Sequence, residues 1–354
     1  ADLPVDHGKK KKNTWKFKAV NVPDFTFAAS KHHLWDASSL EVEPGRRVLI
    51  SAVYPPESKF YSQAAAISRT SVDSLSSGCP GVPYPWPHMT VFNCMEGGGG
   101  MESPMMVNNG EQQTLALASE IIHHEIAHSY FPFITGANER RFAWLDEGWA
   151  THKGKRWSSA WPDSGKERFE GIYQAVSGTS LDLPLMVPSH TIAETSVSGY
   201  MSYQKAGMAM MTIEDQIGKK KMDLVWKTFV ERWMWKHPQP WDFFATINEV
   251  AGENLNWLIK PWFYEFAFAD IGIEKVDLES GSVSFRNVGG LPMPLYATLI
   301  YTDGSKKEIY RKANYWMDKD SLTIDVAYPE KLDKVVLEHD LLVDTDPTNN
   351  EWTR

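Results

Sequence analysis

Between about residues 112 and 131, Leu115, Ala118, Ile122, Ile126 and Tyr130 recur at intervals of three and four, which predicts one apolar face of an amphipathic helix ended by Pro132. The same periodicity predicts helices over 58–75, 145–157, 204–217, 222–235, 241–250 and 255–267, with Pro and Gly where they should stop. Apolar strand-like runs occupy 46–53, stopped by Pro55 and Pro56, and 89–94, which follows a Pro-rich loop and precedes four consecutive glycines, Gly97 to Gly100. Residues 14–30, carrying Trp15, Phe17, Phe25 and Phe27, read as short strands with no partner hairpin before them. After about Gly272 the pattern turns to strand alternation over 283–285, 295–301, 322–328 and 335–338, with a turn signal at Thr302-Asp303-Gly304. Helices and strands are segregated along the chain, so the expected class is α+β with a small β-sandwich after the helical part.

Composition narrows the partners. The 354 residues are 42% hydrophobic and 23% charged, an ordinary globular mixture long enough for roughly two domains. Lys and Arg number 36 against 45 Asp and Glu, for a net −9, which argues against nucleic acid as a partner. The runs Lys9 to Lys12 and Lys219 to Lys221 read as solvated turns. No apolar stretch is long enough for a membrane span. Only Cys79 and Cys94 occur, too few for a Cys-built zinc site. A bridge between them would suit an oxidising compartment; with the Ala start, it leans the expected location toward the periplasm or secretion.

The helix around residue 120 also carries chemistry. His124-Glu125-Ile126-Ala127-His128 places two imidazoles four residues apart, about one turn apart on one face, so both can reach one metal ion. Catalytic zinc commonly takes three protein ligands and leaves a fourth position for water, so a third ligand must come from elsewhere. Glu147, in Trp144-Leu145-Asp146-Glu147-Gly148-Trp149 on the next predicted helix, is the natural candidate. His123 lies on a different side of the helix from His128 and is expected to pack or hydrogen-bond. Glu125 points about 100° away from His124, which suits it to move a proton rather than to join the ligands.

These residues resemble a known family. His124-Glu125-x-x-His128, eighteen residues and then Glu147 is similar to the gluzincin signature of the M1 metallopeptidases, the aminopeptidase N and leukotriene A4 hydrolase group. Gly99-Gly100-Met101-Glu102-Ser103 resembles the family's GxMEN exopeptidase motif, with Ser103 in place of Asn. Tyr203-Gln204-Lys205-Ala206 resembles its YxKG segment, with Ala206 in place of Gly. The resemblance implies a thermolysin-like zinc peptidase unit over 46–271, a remnant of an N-terminal β domain over 1–45 and a β-sandwich over 272–354. It also implies one Zn2+ held by His124, His128 and Glu147, Glu125 as general base, and a peptide substrate. Glu102, beside Gly99, Gly100 and Met101, would hold that peptide's free amine.

A phenol that hydrogen-bonds the developing oxyanion is expected from Tyr203, which the motif favours, or from Tyr200. The expected activity is zinc-dependent removal of N-terminal residues from peptides. The alternatives are another zinc hydrolase, such as an endopeptidase or epoxide hydrolase, and a non-catalytic binding module retaining the fold. The segment 344–350, rich in Asp and Asn, lacks the Gly and terminal Glu of an EF-hand loop and reads as a turn. The fifteen tryptophans, several of them between Trp226 and Trp262, are expected to pack in the core.

Overall fold

A computed structural model describes residues 14–95, 99–158, 175–338 and 344–354. Its first element is a hairpin, β1 (Leu34–Glu43) antiparallel to β2 (Arg46–Tyr54). Pro44 and Gly45 form the connection, and Gly45 takes the positive φ (+78°) that a Pro-Gly turn demands at its second position. The strand run expected over 46–53 is therefore present, but its partner precedes it. The strands expected over 14–30 are not formed: Trp15, Phe17, Phe25 and Phe27 are exposed, and β1 pairs with β2 alone. Aromatic content favours a strand only where there is a sheet face to cover and a neighbour to pair with.

The hairpin opens a five-stranded sheet of order β1-β2-β3-β5-β4, with β3 (His88–Met95), β4 (Gly100–Met101) and β5 (Met106–Gly110). β2, β3 and β5 run parallel, while β1 and β4 are antiparallel edges. Between β2 and β3 the chain crosses over through α1 (Ala64–Asp73), which packs against the β1–β2 hairpin and against α2 (Leu115–Ala127). The helix expected over 58–75 is thus shorter at its start. α2 begins where the Thr114 side chain accepts the Leu117 N–H at 3.2 Å, an N-cap. Regular helix ends at Ala127, and a wide turn follows over Ser129–Ile134, within which Phe131 leaves the helical conformation before Pro132.

Among the described residues, five helices follow in this part: α3 (Ala143–Ser158), α4 (Thr195–Gly199), α5 (Ala206–Ile217), α6 (Lys219–Trp233) and α7 (Pro240–Ala251). α8 (Asn256–Tyr264) then leads to the β region. A capping box between Gln239 and Asp242 starts α7, and Gly252 in the left-handed conformation stops it. Trp144, Trp149, Trp226 and Trp262 are fully buried, as the packing expectation requires, whereas Trp235 and Trp241 are exposed.

The remaining strands form two antiparallel sheets. One has the order β10-β7-β6, with β6 (Ile271–Asp277), β7 (Ser282–Asn287) and β10 (Ser321–Asp325). The other has the order β12-β11-β8-β9, with β8 (Leu295–Tyr301), β9 (Lys306–Arg311), β11 (Leu332–Leu337) and β12 (Glu351–Thr353). Alternate residues of β8 are buried, and Val283, Phe285, Leu322, Ile324 and Val335 join them in the hydrophobic core. The chain is α+β. A unit boundary after residue 45 would cut the β1–β2 hairpin, and one after residue 271 would fall at the first residue of β6.

Cys79 is a free, buried thiol, which corrects the bridge considered with Cys94 and removes that ground for an oxidising compartment. Among the described residues no helix is long and apolar enough to cross a membrane. Lys9 to Lys12, and Gly97 and Gly98 of the glycine run, lie outside the described residues. In 344–350 the carboxylates cap local backbone: Asp344 Oδ1 accepts from the Asp346 N–H at 2.9 Å and Asp346 Oδ1 from the Thr348 N–H at 3.0 Å. That segment is a turn, as expected.

Candidate metal centre and cleft

α2 and α3 pack side by side and bring their polar residues to one point. His124 Nε2 and His128 Nε2 are 3.2 Å apart, and each lies 3.3 Å from Glu147 Oε2. Three donors held about 2.0–2.1 Å from a common centre in tetrahedral directions stand about 3.3–3.4 Å apart, so this triangle has the dimensions of one face of a zinc tetrahedron. Glu147 Oε2 is buried without a hydrogen-bond partner. A buried acceptor facing two imidazole lone pairs is costly unless a cation fills the space, so the residues fit the metal. Burial alone would raise the Glu147 carboxyl, but the two imidazoles outweigh it and hold it below the usual carboxylate range.

Behind His128 stands a residue that the sequence reading missed. His128 Nδ1 lies 2.5 Å from Asp146 Oδ1 and 3.0 Å from the Phe131 carbonyl, both acceptors, which puts the proton on Nδ1 and the lone pair on Nε2. Phe131 can offer that carbonyl because the helix has opened into the wide turn. Burial opposes a charge on His128, yet the Asp146 and Glu147 carboxylates outweigh it and raise the imidazole above its ordinary value. The available signal for Asp146 was its place immediately before Glu147. His123, in contrast, hydrogen-bonds Ser71 Oγ at 2.8 Å and stacks on Trp157, the packing role expected for it.

Glu125 is buried, and its Oε2 also has no hydrogen-bond partner. Burial pushes its carboxyl up to about 7, against the pull of His124 and His128. The edge strand β4 lies directly over it: a Cβ built on Gly100 would sit 2.1 Å from Glu125 Oε1, so any side chain there would displace the Glu125 carboxylate. Glu102 follows immediately after this strand, with a carboxylate oxygen within 4.8 Å of ligand atoms of both Glu125 and His128. Met101 points elsewhere. Its side chain is exposed and outside the cleft lining, because successive strand residues face opposite sides. Glu139, which the sequence reading did not single out, brings a carboxylate within the same distance of Glu102 and Asp146.

Tyr203 and Tyr200 separate cleanly. The Tyr203 hydroxyl donates to Glu147 Oε1 at 2.5 Å, and its ring stacks on His124. Tyr200 is fully buried and donates to Asp182 Oδ2 at 3.2 Å. Both belong to a π turn, Tyr200–Lys205, between α4 and α5. Lys205, also fully buried, anchors that turn: its Nζ reaches Asp182 Oδ1 at 2.6 Å and the carbonyls of Leu183 and Ala267. The crossing of α3 and α5 is close, since a Cβ on Gly148 would sit 2.7 Å from the Ala206 methyl. The residue at 206 can therefore be alanine because Gly148 opposite it has no side chain.

Together these residues line a cleft of about 580 Å³ that includes Gly99, Gly100, Glu102, His124, Glu125, Glu147 and Tyr203. Residues 79–262, just over half of the chain, match the Peptidase family M1 domain. The chain belongs to peptidase family M1. It is 21% identical to aminopeptidase M1-A of Oryza sativa subsp. japonica over 228 residues, 59% of this chain and 26% of that one. To glutamyl aminopeptidase of Sus scrofa it is 21% identical over 306 residues, 79% of this chain and 32% of the other. It thus spans about a quarter to a third of the length of these relatives. Among solved structures, aminopeptidase A of Legionella pneumophila in complex with aspartic acid superposes with a TM-score of 0.62 at 12% identity, covering 82% of this chain and 35% of that one. An M1 zinc metallopeptidase from Deinococcus radiodurans gives 0.51 at 14% identity, covering 65% and 51%. At these identities the structures bear on the fold alone.

Proposed function

We propose that this chain is the catalytic part of a zinc-dependent aminopeptidase that removes single residues from the free amino end of a peptide. The observation that carries this reading is the donor triangle of His124, His128 and Glu147 with edges of 3.2–3.3 Å, beside two further carboxylates. His124, His128 and Glu147 would hold the zinc, which would supply Lewis acidity toward the scissile carbonyl and toward water.

The chain's own residues do the rest. Glu125, whose raised pKa lies near neutrality, takes the proton from the attacking water and returns it to the departing amine. Tyr203 donates its hydroxyl to the carbonyl oxygen as negative charge develops there. Glu102 accepts from the substrate's ammonium group and so fixes cleavage one residue from the end. β4 ends its sheet, leaving an edge along which an extended substrate can lie.

The test is a panel of fluorogenic aminoacyl substrates, each free and N-acetylated, before and after chelation and with zinc added back. Chelator-sensitive turnover of the free-amine forms alone is the expected result. Equal turnover of acetylated forms would overturn the role of Glu102, and no turnover with one zinc bound per chain would make the fold a binding module.

A further inference from the structure

Given the aminopeptidase reading, the cleft has a direction. Glu102, which would hold the substrate amine, sits near Glu125 and His128 toward the C-terminal end of α2. The part of the substrate beyond the scissile bond then runs past His124 toward the preceding turn of the helix, where Leu117, Glu120 and Ile121 line the cleft. Thr151, Gly154 and Lys155 of α3 face them.

Glu120 is unusual among these. Its side chain is only 16% exposed, and its Oε2 is buried with no hydrogen-bond partner. Lys155 Nζ lies 3.6 Å from Oε1, near enough for charge attraction but beyond hydrogen-bond length. Gly154 stands opposite on α3, where a Cβ would sit 3.8 Å from Glu120 Cγ, at ordinary contact distance. A nearly buried carboxylate with an unused acceptor is costly by itself, and that cost falls when a ligand brings a donor.

We propose that Glu120 is a specificity residue of the leaving-group side, receiving a cationic side chain, lysine or arginine, of the residue that follows the scissile bond. Lys155 shares the carboxylate's charge and limits the selectivity to a modest factor. Two tripeptides, Leu-Lys-Gly and Leu-norleucine-Gly, differ there only in the ammonium group. Both the kcat/KM of the zinc-loaded chain and calorimetric affinity should favour the lysine peptide about tenfold or more, the size expected for a hydrogen bond to a charged group. Glu120→Gln should bring the ratio close to one, and Glu120→Lys should turn the preference toward an aspartate or glutamate in the same place, which loss of packing would not do. Equal affinities for the two peptides, or a lysine preference that survives Glu120→Gln, would overturn the assignment. Turnover of neither peptide, with the affinity difference intact, would instead overturn the aminopeptidase reading and leave Glu120 as a binding residue.

Discussion

His128 Nδ1 and the Asp146 carboxylate lie 2.5 Å apart, and Asp146 immediately precedes Glu147, so adjacent residues of α3 approach the same imidazole from its two nitrogens. One fixes the tautomer and the other completes the donor triangle. Asp146→Ala should therefore lower zinc affinity about 10–100-fold, as loss of a carboxylate behind a metal-bound histidine does. Asp146→Asn, which keeps an acceptor oxygen, should lose less. Competition with a chromogenic chelator measures both, and an unchanged circular dichroism spectrum would separate this effect from unfolding.

Gly100 and Glu125 make a second such pair. Glu125→Gln should keep zinc and lower kcat by about 10²–10⁴-fold, the usual contribution of a positioned acid–base group. Gly100→Ala places a methyl where Glu125 Oε1 now sits. It should lower kcat by up to about 10²-fold through displacement of that carboxylate. A Gly100→Ala variant with full activity would show that the close approach of β4 does not position the base.

The two tyrosines should respond differently to loss of a hydroxyl. Tyr203→Phe removes the donor beside Glu147 and should cut kcat by about 10²–10³-fold with KM little changed. Tyr200→Phe removes a buried bond to Asp182, so its main expected effect is a loss of about 1 kcal/mol of stability. Steady-state kinetics and denaturant midpoints on both variants decide between these roles.

Acid should weaken the helical core through His152. This buried imidazole donates to Glu214 at 2.7 Å, and burial, the largest effect, holds its pKa down to about 4. A folded-state pKa below the unfolded value of about 6.5 means that its stabilising share is complete above that pH and is lost as the pH falls through 4. The share is about 3 kcal/mol. Urea midpoints between pH 7.5 and 4 should therefore fall more steeply for the wild type than for His152→Gln, which offers an N–H to Glu214 without titrating. Parallel profiles would count against His152 as the source.

Local spacing made most of the site legible. His124 and His128 are four apart on a helix whose apolar face is unmistakable, so their convergence follows from helix geometry alone. Strand β8 was equally plain, because alternate burial imposes alternate hydrophobicity. β9 was not, since in Lys306–Arg311 only Ile309 is buried and an exposed strand carries no alternation. The aromatic run at 14–30 misled for the opposite reason, showing strand composition without a sheet to join.

By itself, then, the sequence determined the two histidines one helical turn apart, the carboxylate beside them and the α+β order of elements, all set by contacts only a few residues apart in the chain. Tertiary structure decided which acceptor holds His128, which tyrosine faces Glu147, how closely Gly100 approaches the Glu125 carboxylate and where one carboxylate oxygen of Glu120 is left without a hydrogen bond. Each of those depends on how two elements distant in sequence cross, and close packing between them is written in no single stretch of the chain.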